Sequence, residues 1–336
     1  MSAALYGNLA TVKLLVSLGA DINSRDRQGA TALHYAVQSK KLALVTYLLT
    51  QGVDCNVQDK DGATALHRAA FHDTPGIAAL LVRRGCDLSL RHRIYGTPFM
   101  HALDYGHVAV ARVYLAHTKL DMRSKDGTRI MFLVARSSNI SLMPEMLKRG
   151  GNINTKGNDG ATPLHGAARH EDPETIEQLI GYGADPSAKD RSGDTPLHIA
   201  CLFRRHKNAR MLIKKGAALD AQNSDGETPL HIAVLAGTTT AMHMYGDSEL
   251  GIKPSIYYAK SPPKIVSLLV RSGAKVSLRN KKGETPLHMA ARRSECTIAK
   301  LLLQKGADPD LQDHKKATPR HLFKRSRCIN LKIPPK

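Results

Sequence analysis

The chain has 336 residues, enough for two ordinary domains or one elongated array. Its 49 Lys and Arg against 29 Asp and Glu give a net charge of +20, which favours acidic partners: an acidic protein segment, a phosphopeptide, nucleic acid or an anionic lipid surface. With no Trp and only 5 Phe, single-stranded nucleic acid would find few rings on which to stack its bases.

The N-terminal stretch MSAALYGNLATVKLL lacks the basic segment and long apolar core of a signal peptide. No apolar run approaches the ~20 residues of a membrane helix, so a soluble cytoplasmic protein is expected. The cysteines Cys55, Cys86, Cys201, Cys296 and Cys328 form no CxxC pair and show no regular spacing. Free thiols in a reducing compartment are the expectation.

A threonine recurs at Thr31, Thr64, Thr97, Thr128, Thr162, Thr195, Thr228, Thr285 and Thr318, with gaps of 33, 33, 31, 34, 33, 33, 57 and 33 residues. In each copy the Thr suits a helix N-cap, where its hydroxyl accepts from a free N–H of the first turn. Proline follows at Pro98, Pro163, Pro196, Pro229, Pro286 and Pro319, at the first helical position where no N–H is needed. Small residues such as Ala69 and Ala70 come next and permit close helix packing. A second helix ends on an apolar pair, such as Leu48 and Leu49 or Leu302 and Leu303, before Gly52, Gly85, Gly183, Gly216 or Gly306. Glycine there fits a left-handed cap, which strains a residue with a Cβ. A polar stretch then leads to the next Thr. One such unit cannot bury its apolar face alone, whereas stacked units can.

The copies GDTPLHIA (193–200), GETPLHIA (226–233) and GETPLHMA (283–290), with their spacing, resemble the ankyrin repeat family over nearly the whole chain. The resemblance implies an all-α repeat solenoid of about nine to ten repeats, each a helix pair with a β-turn finger. Fingers and first helices would line a concave face. It also implies that His34, His67, His165, His198, His231, His288 and His321 tie neighbouring turns by hydrogen bonds. Seven copies spread along a rod cannot share one catalytic site.

Taken along the chain, the expected repeats are 1–28 (truncated), 29–61, 62–94, 95–126, 127–159 (degenerate), 160–192, 193–225, 226–282, 283–315 and 316–336 (incomplete). The truncated start reads as a fragment of a longer chain or as a frayed end, the first being favoured. In the fourth copy Arg129, Ile130 and Met131 replace Pro, Leu and His, which reads as drift or as a hinge. The gap of 57 places about 24 extra residues near 238–261, including Tyr245, Tyr257 and Tyr258, between the two helices of one repeat. That insertion is either a tolerated loop or a functional one. From His314 to Lys336 there are eight Lys or Arg and no acid. Pro334 and Pro335 cut the last second helix short. This basic end is a solvated cap or an anion contact, with nuclear targeting as a further reading.

The resemblance places recognition residues at the finger tips and at the end of the first helix, six, four and three residues before each Thr and seven and eight after it. Of these 45 slots, 18 hold Lys or Arg and four hold Asp or Glu. Exposure alone would raise both signs, so the concave side should be electropositive, most densely from Arg279 to Arg325. Expected partner-binding residues are Phe71, His72, Arg169, Lys189, Arg191, Leu202, Phe203, Arg204, Arg205, Arg279, Lys281, Lys282, Arg292 and Arg293. Apolar anchors ringed by charge are the usual make-up of a protein-binding hot spot.

No phosphate loop, HExxH or paired Cys/His spacing occurs. No catalytic residue, cofactor or metal is therefore expected, and the chain reads as a non-enzyme. The leading reading is an interaction scaffold gripping an acidic protein. Polyanion binding (nucleic acid, anionic lipid or phosphopeptide) and the recognition part of a larger signalling enzyme or ubiquitin-ligase adaptor are the alternatives.

Overall fold

The structure, a computed structural model, describes residues 1–136, 138–236, 263–324 and residue 328. The insertion near 238–261, Arg325, Pro334 and Pro335 lie outside the described residues. Nineteen α-helices form among the described residues and no β-strand does, beyond an isolated bridge between His92 and Gly96.

The helices fall in two compact units, residues 1–151 and 152–336. The first holds α1 (Ser2–Leu5) with α2 (Leu9–Ser17), α3 (Ala32–Gln38) with α4 (Leu42–Thr50), α5 (Ala65–Phe71) with α6 (Pro75–Arg83), and α7 (Pro98–Tyr105) with α8 (Val108–Leu115). It ends with α9 (Lys125–Val134), a 3-10 turn (Ile140–Leu142) and α10 (Met143–Lys148). The second holds α11 (Pro163–Ala168) with α12 (Pro173–Gly181), α13 (Pro196–Leu202) with α14 (His206–Lys214), α15 (Pro229–Ala236) with α16 (Pro263–Arg271), α17 (Pro286–Arg292) with α18 (Cys296–Gln304), and α19 (Pro319–Lys324). Within each unit first helices pack on first helices, α3 on α5 and α13 on α15 for example. Second helices likewise pack on second helices, α6 on α8 and α14 on α16. This is the all-α repeat architecture that the spacing implied.

The core follows the motif. Leu33, Leu66, Leu164, Leu197, Leu230 and Leu287, each two residues after its Thr, are buried. Each contributes about 1.5–3 kcal/mol relative to an exposed leucine. Ala36, Ala69, Ala200 and Ala290 have 0% exposure, and only a small side chain lets the first helices meet so closely.

The motif histidine works in two directions. Its Nδ1 accepts from the backbone N–H of the repeat's own Thr, at 3.1 Å in His34, His67, His165, His198, His231 and His288. Nε2 must therefore carry the proton, and it donates to a carbonyl of the next finger. The acceptors are Ala63 (3.0 Å), Gly96 (3.0 Å), Asp194 (3.0 Å), Glu227 (3.0 Å), Glu284 (3.1 Å) and Ala317 (3.2 Å). The structural role implied by the resemblance holds at all six.

Six of the fingers are shaped by an Asp or Asn five residues before the Thr, at Asp26, Asp59, Asp190, Asn223, Asn280 and Asp313. Asn223 Oδ1 accepts from Asp225 N (3.0 Å) and Glu227 N (2.9 Å), and Asp59 and Asp313 do the same in their own fingers. Fingers then stack backbone to backbone, as Ser224 N donates to Ser192 O at 2.8 Å. That stack requires Gly193, whose φ is +75° and where a Cβ would lie 2.9 Å from Ser224 N.

Two expectations are overturned. Cys55 is joined to Cys86, and Cys296 to Cys328, by disulfides with Cα–Cα distances of 5.7 and 5.3 Å. Separations of 31 and 32 residues are one repeat, so stacking puts each pair side by side; Cys201 is a free, buried thiol. In the fourth copy the N-cap is Ser124, whose Oγ accepts from Gly127 N at 3.1 Å. Thr128 therefore lies inside α9. Thr31 and Thr64 cap without a proline because His34 and His67 accept from their N–H groups, whereas Met131 offers Thr128 no such acceptor and Ser124 takes the cap.

Candidate functional site

The cations expected at the binding face divide by what they touch. The residue six before the Thr points at the same position of the next finger, where a carbonyl is within reach. Lys156 Nζ donates to Lys189 O (3.3 Å), Lys189 Nζ to Gln222 O (2.7 Å), and Arg279 to Gln312 O. Gln58 and Gln222 make the same bond, to Arg91 O and Arg279 O. Lys189 and Arg279 are thus stitches between fingers.

Arg292 bridges Glu284 (2.8 Å) and the buried Asp313 (2.7 Å). Arg205 Nε donates to Arg169 O at 2.6 Å, and Arg204 donates to Ala236 O. The Arg169 guanidinium lies 4.8 Å from the centre of the half-buried Phe203 ring, a cation–π contact. Burial holds Arg169 below the usual arginine range. Leu202 is half-buried beside them at the end of α13, and Arg293 is half-buried at the end of α17.

Arg191, Lys281 and Lys282 remain exposed at finger tips of the second unit and form no ion pair among the described residues. Two of them sit on pinned backbone: Arg191 N donates to Asp159 O (2.9 Å) and Lys281 N to Asp225 O (2.8 Å). Their side chains are presented to solvent from a fixed base.

The first unit presents aromatic rings instead. Phe71 meets Tyr105 edge-on at 5.1 Å and His72 at 4.8 Å. Tyr95 stacks on His101 at 4.2 Å, and its hydroxyl lies 3.0 Å from that of Tyr105. That bond pushes the Tyr105 phenol up to about 12. Phe71 (42%), Tyr105 (41%) and Ile94 (69%) are exposed. Tyr95, which lies outside the expected slots, joins Phe71 and Tyr105 around the end of α7, and the exposed Ile94 precedes it in the chain. Burial, then Lys40 and Arg68, hold His72 below the usual histidine range.

Beneath these rings His101 is 5% exposed, and neither ring nitrogen has a hydrogen-bond partner. Burial, then His67 and His92, lower it to about 3, so the ring is neutral. It lies one residue beyond the motif position, which Met100 occupies.

Burial raises the Cys201 thiol far above its ordinary range, so no thiolate nucleophile forms there. Among the described residues no group of three or more His, Cys, Asp or Glu is arranged to hold a metal ion, and no helix is long and apolar enough to cross a membrane.

A family model described as ankyrin repeats, in three copies, matches residues 1–92, 99–190, 164–244 and 237–313. No curated protein matches the chain.

Proposed function

Because the chain belongs to the ankyrin repeat family, a family of protein-interaction modules, we propose that it is a non-catalytic scaffold holding an acidic protein segment on its finger tips. The observation that carries this reading is the trio Arg191, Lys281 and Lys282: exposed cations with no ion pair, set on a stacked backbone. The backbone beneath them is already ordered, so an acidic chain that pairs with them has only their side chains left to order. Phe71, Ile94, Tyr95 and Tyr105 offer an apolar anchor in the other unit, the residue types that dominate interface energetics. The expectation of a reducing compartment, drawn from unpaired thiols, loses its support; the two disulfides fit an oxidising setting better.

The test is capture from lysate at about 150 mM and about 500 mM salt, with the wild type beside Arg191→Glu, Lys281→Glu, Lys282→Glu. The proposal expects an acidic protein that survives the higher salt, is lost in the variant, and leaves thermal unfolding unchanged. Recovery of RNA or DNA that washes off at high salt supports the polyanion reading instead. A partner retained by the variant refutes the assignment to these tips.

A further inference from the structure

The helices α14, α16 and α18, which pack side by side, carry the exposed cations Lys207, Arg210, Lys214, Lys264, Arg271 and Lys300 and no acid. Their neighbour α12 carries Glu174 and Glu177 and no Lys or Arg. On α14 the inner face is fixed by Asn208, Ala209 and Leu212, which are buried. Asn208 Nδ2 donates to Ala167 O (3.2 Å) and to His170 O. Lys207, Arg210 and Lys214 therefore form one outward stripe, spaced three and four residues apart.

Along this stripe runs a groove of about 520 Å³, lined by Pro173, His206, Lys207, Arg210, Met211 and Lys214. Three acids flank Pro173, and Glu174 among them forms no ion pair among the described residues. Glu177 pairs with Lys215 at 2.8 Å, and Glu171 accepts a long 3.4 Å bond from Lys207 N. Burial, then Arg210 and Lys264, hold His206 below the usual histidine range, as expected where positive charges gather.

We propose that this groove is a second binding surface, distinct from the finger tips, for an extended phosphorylated peptide segment. Lys207 and Lys214 lie seven residues apart on the helix, about 10.5 Å at 1.5 Å per residue. Anionic side chains three residues apart on a chain in the extended polyproline II conformation, which has three residues per turn, project from one face about 9.3 Å apart and match them. Arg210, between the two, supplies the planar fork that grips a phosphate through two parallel hydrogen bonds. Pro173 and the flexible Met211 form apolar walls that take an uncharged side chain lying between the phosphates. A bilayer surface would read the protruding charges without entering a groove. No Phe, Tyr or Trp lines the groove on which a base could stack.

The experiment is fluorescence anisotropy of the full chain. The probe is a fluorescein-labelled heptapeptide with phosphoserine at its second and fifth positions and leucine at the third. The unphosphorylated peptide, a short single-stranded RNA and vesicles of about 20% phosphatidylserine in phosphatidylcholine are the comparators. Saturable binding of the phosphopeptide is expected, at least about tenfold weaker in Arg210→Glu with Lys214→Glu. It should be retained in the charge-matched control Lys300→Glu with Lys305→Glu, and in Arg191→Glu, Lys281→Glu, Lys282→Glu. Absence of saturable binding, equal loss in the groove variant and its charge-matched control, or tighter binding of RNA or vesicles each overturns the proposal. None of these outcomes bears on the finger-tip reading, whose variant carries separate changes.

Discussion

Residues 1–151 and 152–336 are built from the same repeat and differ in what interrupts it. In the second unit the histidine ladder runs unbroken from His165 to His288, even where 53 residues separate His231 from its acceptor on Glu284. In the first it stops after His67, because Met100 stands where the next donor should be. Extra chain between the two helices of a repeat leaves the finger stack intact. Loss of one donor ends the ladder, and the displaced His101 is stranded among rings. Regular repeats thus hold the stack, and where the pattern lapses a buried histidine is left outside the ladder.

The largest expected effect falls on both units alike. Reducing either disulfide reopens a loop of 31 or 32 residues. In the chain-entropy account this costs about 3–4 kcal/mol, read as a drop in the denaturant midpoint on adding reductant. Cys55→Ser and Cys296→Ser variants separate the two contributions. A midpoint insensitive to reductant would show that neither bond adds stability.

A histidine pair sharpens the contrast directly. His198→Ala, at 1% exposure, removes bonds to Thr195 and Glu227 and should lower stability by about 3 kcal/mol. His101→Leu removes two buried nitrogens that bond to nothing and should raise it by about 1 kcal/mol. If urea unfolding gives the two substitutions the same sign, the distinction between ladder and stranded histidine fails.

Acid should loosen the fold. His67, His198 and His231 titrate at about 4 when folded, chiefly through burial, against about 6.5 when unfolded. Their neutral forms belong to the native state, so stability is complete above about pH 6.5 and falls as pH drops towards 4. Glu227 runs the other way: burial, then Asp225, raise it to about 7. The folded state keeps its proton, so stability falls as pH rises from about 4.5 to 7 and stays lower above that. Glu227→Gln should therefore add about 1 kcal/mol near pH 8, after discounting for solvent screening, and nothing near pH 4. Urea titrations at the two pH values check both signs.

Much of this was legible beforehand. The Thr caps and the buried leucines follow from spacing and residue chemistry, and the histidine bonds from the resemblance to ankyrin repeats. The disulfides carry no short-range cysteine motif; their signal is a separation of 31 or 32 residues, close to one period of the stack. The start of α9 was missed because Thr128 kept the ruler while Ser124 offered the better cap. The division of cations was hidden for a different reason. Lys189 and Arg191 are both finger-tip cations, yet only the column six residues before the Thr faces a carbonyl of the next finger. Tyr95 becomes visible as part of a patch only when α7 brings Tyr105 beside it.

The claim that some cations hold the stack while others are left to bind is tested most directly by thermal unfolding of two double variants, each losing two positive charges. Arg279→Ala with Arg292→Ala removes a finger stitch and strands Asp313, whose side chain is 2% exposed. It should cost about 2–3 kcal/mol. Arg191→Ala with Lys281→Ala should stay within about 0.5 kcal/mol of wild type. Equal losses in the two would contradict the account.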